Sequence, residues 1–167
     1  MRDSRYFLLF LILVVAQILL NDFLNLSQYL VLSILPMLIL CLPIRFGTIS
    51  TMIIAFLTGF AVDFFSSGMI GMTSLALVPL ALMRRGIIVL VFGEEVYSRG
   101  ENISMRRQGV LKMGLGILIA SAVFFTILIA VDLAGTHSFW FFLLKLALSC
   151  LVSTIVSVFL SAQFDTD

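Results

Sequence analysis

Few side chains in this chain have the chemistry to catalyse, ligate or carry charge, and most of them lie in apolar surroundings. Asp63 and Asp132 are carboxylates at the ends of apolar runs, Lys145 is a cation inside another, His137 is the single histidine, and Cys41 and Cys150 are the two thiols. Two carboxylates brought together share a proton and can do acid–base work on a bound peptide. Asp63 and Asp132 lack glycine-flanked signatures, and both fall at the outer edge of the membrane reading developed below. No H-E-x-x-H helix, C-x-x-C pair, G-x-S-x-G elbow or phosphate-cradling glycine loop occurs. The residues therefore predict no catalytic group, no cofactor-binding group and no metal ligand. Both cysteines sit in apolar runs and read as small hydrophobes rather than a disulfide framework.

The elements that carry these residues are set by hydrophobicity. Of 167 residues, 62% are hydrophobic and 11% charged, with a mean hydropathy of +1.22. Soluble domains run at roughly 45–50% apolar and about 25% charged, so lipid is the surrounding this composition suits. Lys plus Arg is 10 and Asp plus Glu 9, which leaves no net field to draw nucleic acid. A bilayer core about 30 Å thick needs about 20 apolar residues in a helix. The pattern predicts an all-α polytopic membrane protein with a single integral domain over 1–167. Six transmembrane helices are expected, at about 6–26, 29–44, 46–65, 69–83, 110–131 and 138–160. A cytoplasmic loop is expected over 84–109. Within it Gly86 to Gly93 is apolar but too short to span; it either lies along the interface or continues the fourth helix. No small-x-small cleavage site follows Leu20, so the first run reads as an uncleaved span. Pro36 and Pro79 are expected to bend the second and fourth helices.

Basic residues retained on one side set orientation. Arg2 and Arg5, then Arg45, then Arg84, Arg85, Arg99, Arg106, Arg107 and Lys112 all fall on the same side of a six-span threading. Lys145, inside the sixth run, is the exception. Both termini are thereby expected in the cytoplasm. The opposite side carries Asp22, Asp63 and Asp132, with Tyr29 and Trp140 as interfacial anchors. Loop 84–109 reads either as a solvated topogenic loop or as a contact for a cytoplasmic partner.

In lipid, helices associate through close packing of small residues. The sixth span carries Ser149, Ser153, Ser157 and Ser161 at intervals of four, and the third carries Gly47, Thr51, Ala55, Gly59 and Asp63. The serine row serves helix packing within the chain or a groove for a partner's helix. Lys145 lies about 10 Å deep by helical rise. It either pairs with Asp63 or Asp132, holding the sixth span against the third or fifth, or snorkels to the outer interface alone.

The stretch Gly59-Phe-Ala-Val-Asp63-Phe-Phe-Ser-Ser-Gly68-Met-Ile-Gly71-Met-Thr-Ser-Leu75 resembles the G-x-x-x-D…G-x-x-x-L stretch of the rod shape-determining MreD family. The small size, the six spans and the basic fourth-to-fifth loop resemble it too. That resemblance implies a non-enzymatic scaffold in the bacterial inner membrane, organising peptidoglycan synthesis and cell shape within the cell-elongation complex. Its implied partners are an MreC-like single-span protein, an MreB-like filament, a membrane glycosyltransferase and a transpeptidase. The implied fold is similar to the six-helix substrate-binding subunits of energy-coupling-factor transporters, which supplies the alternative of a vitamin-type binding subunit. Gly59, Asp63 and Gly71 are the residues expected to shape an outer-side partner site.

Overall fold

The computed structural model describes residues 2–23, 31–65, 70–98, 109–132 and 139–161. Among them every regular element is a helix: α1 (Arg2–Phe23), α2 (Leu35–Cys41), α3 (Thr48–Phe65), α4 (Met72–Phe92), α5 (Glu94–Ser98), α6 (Val110–Asp132) and α7 (Phe139–Ser161). Four of them are long and apolar enough to cross a membrane, over Thr48–Phe65, Met72–Phe92, Val110–Val131 and Phe142–Ser161; α1 contributes the shorter apolar stretch Leu8–Asn21. The long helices turn large apolar side chains outward, among them Ile49, Leu90, Leu111, Ile155 and Phe159, each at least 65% exposed. Such continuous apolar faces suit hydrocarbon, not water.

The bundle is built from two antiparallel hairpins, α3 with α4 and α6 with α7, joined by the packing of α4 on α6. At one end lie the α3–α4 turn, Asp63 and the end of α6. The other end holds Arg45, the start of α3 and the start of α6. Gly71 at φ +95° turns the chain into α4, and Gly93 at φ +93° ends it. Both conformations disfavour any residue with a Cβ. Pro79 is accommodated inside α4, which runs on without a break.

The short helix α2 is wedged between α4 and α6. Leu35, Met37, Leu38, Ile39 and Leu40 are each at most 2% exposed, so α2 is buried on all sides and forms the centre of the core. Phe124 and Phe125 of α6, edge to face at 5.3 Å, belong to the same core. Inside lipid this core gains little from leaving water; interdigitation and dispersion hold it.

Two expectations from the sequence are corrected here. The second run is not a continuous helix over 29–44: residues 31–34 lie outside any helix, and the helix is confined to Leu35–Cys41. The cause is Pro36. A helix through it would need an amide at position 36 to reach the Leu32 carbonyl, and proline has none, while its ring collides with that carbonyl. The second correction concerns 84–109. Residues 84–92, including Arg84, Arg85 and most of the Gly86–Gly93 segment, are not loop but the last part of α4, and Glu94–Ser98 forms α5.

Candidate functional site

Breaking a helix within an apolar bundle strands backbone amides and carbonyls, and each unpaired group in hydrocarbon is costly. The stretch 31–34 shows how this chain avoids that. Gln17 of α1, 1% exposed, receives the Ile34 amide on Oε1 at 2.8 Å. Its Nε2 donates to the Leu32 carbonyl at 3.1 Å and to Asn21 Oδ1 at 2.9 Å. From the opposite side, Ser149 Oγ of α7 accepts the Val31 amide at 3.0 Å and Ser153 Oγ accepts the Ser33 amide at 3.1 Å. The Leu35 amide turns to Ser33 Oγ at 3.3 Å. Side chains from the first and last helices thus supply the hydrogen bonds that a helix would have made for this stretch.

The serine row of α7 is therefore neither a plain packing ridge nor a uniform feature. Ser149 and Ser153 hold backbone. Ser157, fully buried, has no hydrogen-bond partner for its hydroxyl, and neither does Ser121 of α6. Ser161 bonds back to the Val158 carbonyl at 2.8 Å.

A second polar cluster locks the α3–α4 hairpin. Asp63, 5% exposed near the end of α3, accepts the Gly71 amide at 2.9 Å and the Thr73 amide at 3.0 Å on Oδ2, with the Ser74 amide at 3.4 Å. These are first-turn amides of α4, which have no carbonyl partner within their own helix. A carboxylate there also meets the positive end of the helix dipole. One turn earlier, Gly59 lets the two backbones touch: a Cβ on it would stand 2.6 Å from Ser74 Cα and 2.7 Å from Ser74 N. Ser74 Oγ completes the contact by donating to the Phe56 carbonyl at 3.2 Å. The structure thus brings Gly59, Asp63 and Gly71 together, as parts of one turn.

Lys145 lies six residues into α7, about 9 Å by helical rise, at the same end as Asp63 and 6% exposed. Asp63 directs its oxygens to the α4 amides. Asp132 is the last residue of α6, and its side chain falls outside the described residues, as do His137, Arg99, Arg106 and Arg107. At the other end Arg84, 5% exposed, donates through Nη2 to the carbonyls of Leu40, at 3.4 Å, and Leu42. It caps the carboxyl end of α2, where a cation is favourable. Arg85 points outward and lies over the Tyr97 ring of α5, 5.1 Å from its centroid.

Gln17 and Arg84 are the two working residues the sequence did not single out for these roles. A lone amide in the run Leu8–Leu20 was the available signal for Gln17; Arg84 read as a loop charge. Among the described residues no group of three or more His, Cys, Asp or Glu is placed to hold a metal ion. No family model matches the chain, and neither a curated protein nor a solved structure matches it.

Proposed function

We propose that the chain is a non-enzymatic membrane scaffold of the bacterial inner membrane. It would act as an MreD-like component of the cell-elongation complex, with six membrane segments and both termini in the cytoplasm. The observation that carries this reading is the use made of the buried polar groups. Gln17, Ser149, Ser153, Asp63 and Arg84 each bond to backbone. Groups spent on holding backbone give a rigid platform. The stretch that resembles the MreD family supports the same reading, with Gly59 at the α3–α4 contact and Asp63 and Gly71 at the turn into α4. On this reading the partner is an MreC-like single-span protein bound at the Asp63 end, with an MreB-like filament, the glycosyltransferase and the transpeptidase reached through the assembly.

One feature favours a second reading. Discontinuous membrane segments are common where transporters bind their cargo, and the non-helical stretch 31–34 ahead of α2 supports a vitamin-type binding subunit. The amides of Val31, Ser33 and Ile34 and the carbonyl of Leu32 are already paired within the chain, however. That argues for the scaffold.

Two measurements separate the readings. Deleting the gene in its host, if rod-shaped, should round the cells, and mild-detergent purification of the tagged chain should recover an MreC-like protein. Unchanged shape together with no such partner rejects the scaffold. Saturable binding of a vitamin by the purified chain would establish the alternative.

A further inference from the structure

Arg84 brings a buried cation to the link between α2 and α3. Its Nη2 bonds to the carbonyls of Leu40 and Leu42, and its Nε, also buried, meets no acceptor. Arg45 follows in the same link, exposed, in a turn closed by the Phe46 amide on the Pro43 carbonyl at 3.2 Å. Arg85 joins them from α4. Gly59 packs on Ser74; Thr48 lies eleven residues before Gly59, and Arg85 eleven after Ser74, in antiparallel helices, so Arg85 stands level with the first residue of α3. Its guanidinium is held over the Tyr97 ring. Three cations thus gather at the entry to α3. Among the described residues no carboxylate forms an ion pair with any of them: Asp63 serves the α4 amides at the opposite end, and Glu94 and Glu95 are exposed on α5. Carbonyl dipoles stabilise a buried cation without neutralising it, so Arg84 calls for a counter-charge. The entry adds donors of its own. The first bond of α3 runs from the Thr51 amide to the Gly47 carbonyl, which leaves the amides of Thr48, Ile49 and Ser50 at the positive end of the helix dipole.

We infer that the entry to α3 binds an anionic glycerophospholipid, one whose phosphodiester carries no ammonium group, as in phosphatidylglycerol. The apolar span of α3 begins at Thr48, so the entry stands where hydrocarbon gives way to the phosphate layer. The lipid phosphate accepts from Arg45 and from the first amides of α3, with Arg85 at the rim, and its charge balances the buried Arg84 beneath. Ile49 and Ile53, four apart on one face of α3, are 75% and 55% exposed and offer an acyl chain a track leading away from the phosphate. A zwitterionic lipid would bring an ammonium group among three guanidinium groups. A free phosphate ion would leave the apolar track unused. The chemistry is the same whichever leaflet this end of the bundle faces.

The test uses the full chain in detergent micelles with equimolar phosphatidylglycerol and phosphatidylcholine, and native mass spectrometry reads which lipid the one-lipid complex retains. Phosphatidylglycerol should be preferred by about tenfold. Arg45→Gln should cut that preference about fivefold, whereas Lys112→Gln, the same loss of charge at an exposed position on α6, should change it by less than about twofold. Phosphatidylethanolamine in place of phosphatidylglycerol should show no such preference. In thermal scans phosphatidylglycerol should raise the melting temperature and soluble glycerol phosphate should not. The same scans without lipid check that the variants fold; should Arg45→Gln fail to, Arg85→Gln is compared with Lys112→Gln instead. A preference near one in the unaltered chain, or equal losses from the arginine and Lys112 variants, overturns the proposal. So does retention of phosphatidylethanolamine equal to that of phosphatidylglycerol, or an equal rise in melting temperature with glycerol phosphate, which would mark a site for free phosphate.

Discussion

The side-chain amide of Gln17 stands in for an amide that Pro36 lacks: its Nε2 donates to the Leu32 carbonyl at 3.1 Å, the acceptor a residue other than proline at 36 would have used. The same side chain takes the Ile34 amide at 2.8 Å. One residue of α1 therefore pairs both backbone groups of the non-helical stretch ahead of α2. Replacing it with leucine keeps the size and leaves two buried backbone groups unpaired. Each costs about 1–3 kcal/mol, so Gln17→Leu should destabilise the bundle by about 2–6 kcal/mol. Denaturant titration in mixed micelles measures it, and a change under about 0.5 kcal/mol would show that the amide does not carry the break.

Gly59 and Gly86 make a matched pair for a second prediction. A methyl group on Gly59 would press on the Ser74 backbone at 2.6 Å, and backbone yields little. Around Gly86 nothing lies within 4 Å. Gly59→Ala should cost about 1–3 kcal/mol through overpacking of α3 on α4. Gly86→Ala should be neutral or stabilise by up to about 1 kcal/mol, because alanine is the better helix former. Thermal scans of the two single variants check the signs. Equal melting temperatures would mean that the α3–α4 approach has slack.

Asp63 tests the hairpin from its polar side. Asp63→Ala removes the acceptor for the Gly71 and Thr73 amides and the charge at the start of α4, and should cost about 2–3 kcal/mol. Asp63→Asn keeps one acceptor oxygen and should fall between Ala and wild type. Both variants should still insert in the membrane, since neither changes the apolar length of α3. The scaffold proposal adds that recovery of an MreC-like partner should fall in the same order. Full recovery with Asp63→Ala would remove the Asp63 end from the partner site while leaving the stability prediction standing.

The apolar runs were legible because lipid imposes length: the four helices that meet the spanning criterion lie within or across runs marked out by hydropathy alone. The stretch from Gly59 to Gly71 stood out as a motif for a partner site, and that its aspartate and glycines hold α3 against the start of α4 shows only in the structure. What periodicity could not show is where a broken backbone finds its partners. Val31 and Ser149 are 118 positions apart, and Ser149 and Ser157 look identical in a row of serines. Arg84 was misplaced for a related reason. A charge beyond an apolar run reads as its end, and nothing local announces that the carbonyls at the end of α2 stand ready to receive it.

That row yields the sharpest discrimination. Ser149→Ala and Ser153→Ala each leave a backbone amide, that of Val31 or Ser33, without its acceptor. Ser157→Ala removes a buried hydroxyl that has no partner to lose. The first two should each destabilise by about 1–3 kcal/mol, and the third should be neutral or slightly stabilising. Combining Ser153→Ala with Gln17→Leu should fall short of the sum of the single effects, because either change loosens the same four-residue stretch and leaves the other less to lose. Hydrogen exchange at Ser33 and Ile34, read by amide NMR in micelles, gives the local view. Faster exchange in Ser153→Ala but not in Ser157→Ala is the expected result. Equal effects of all three serines would mean that the row acts by size alone.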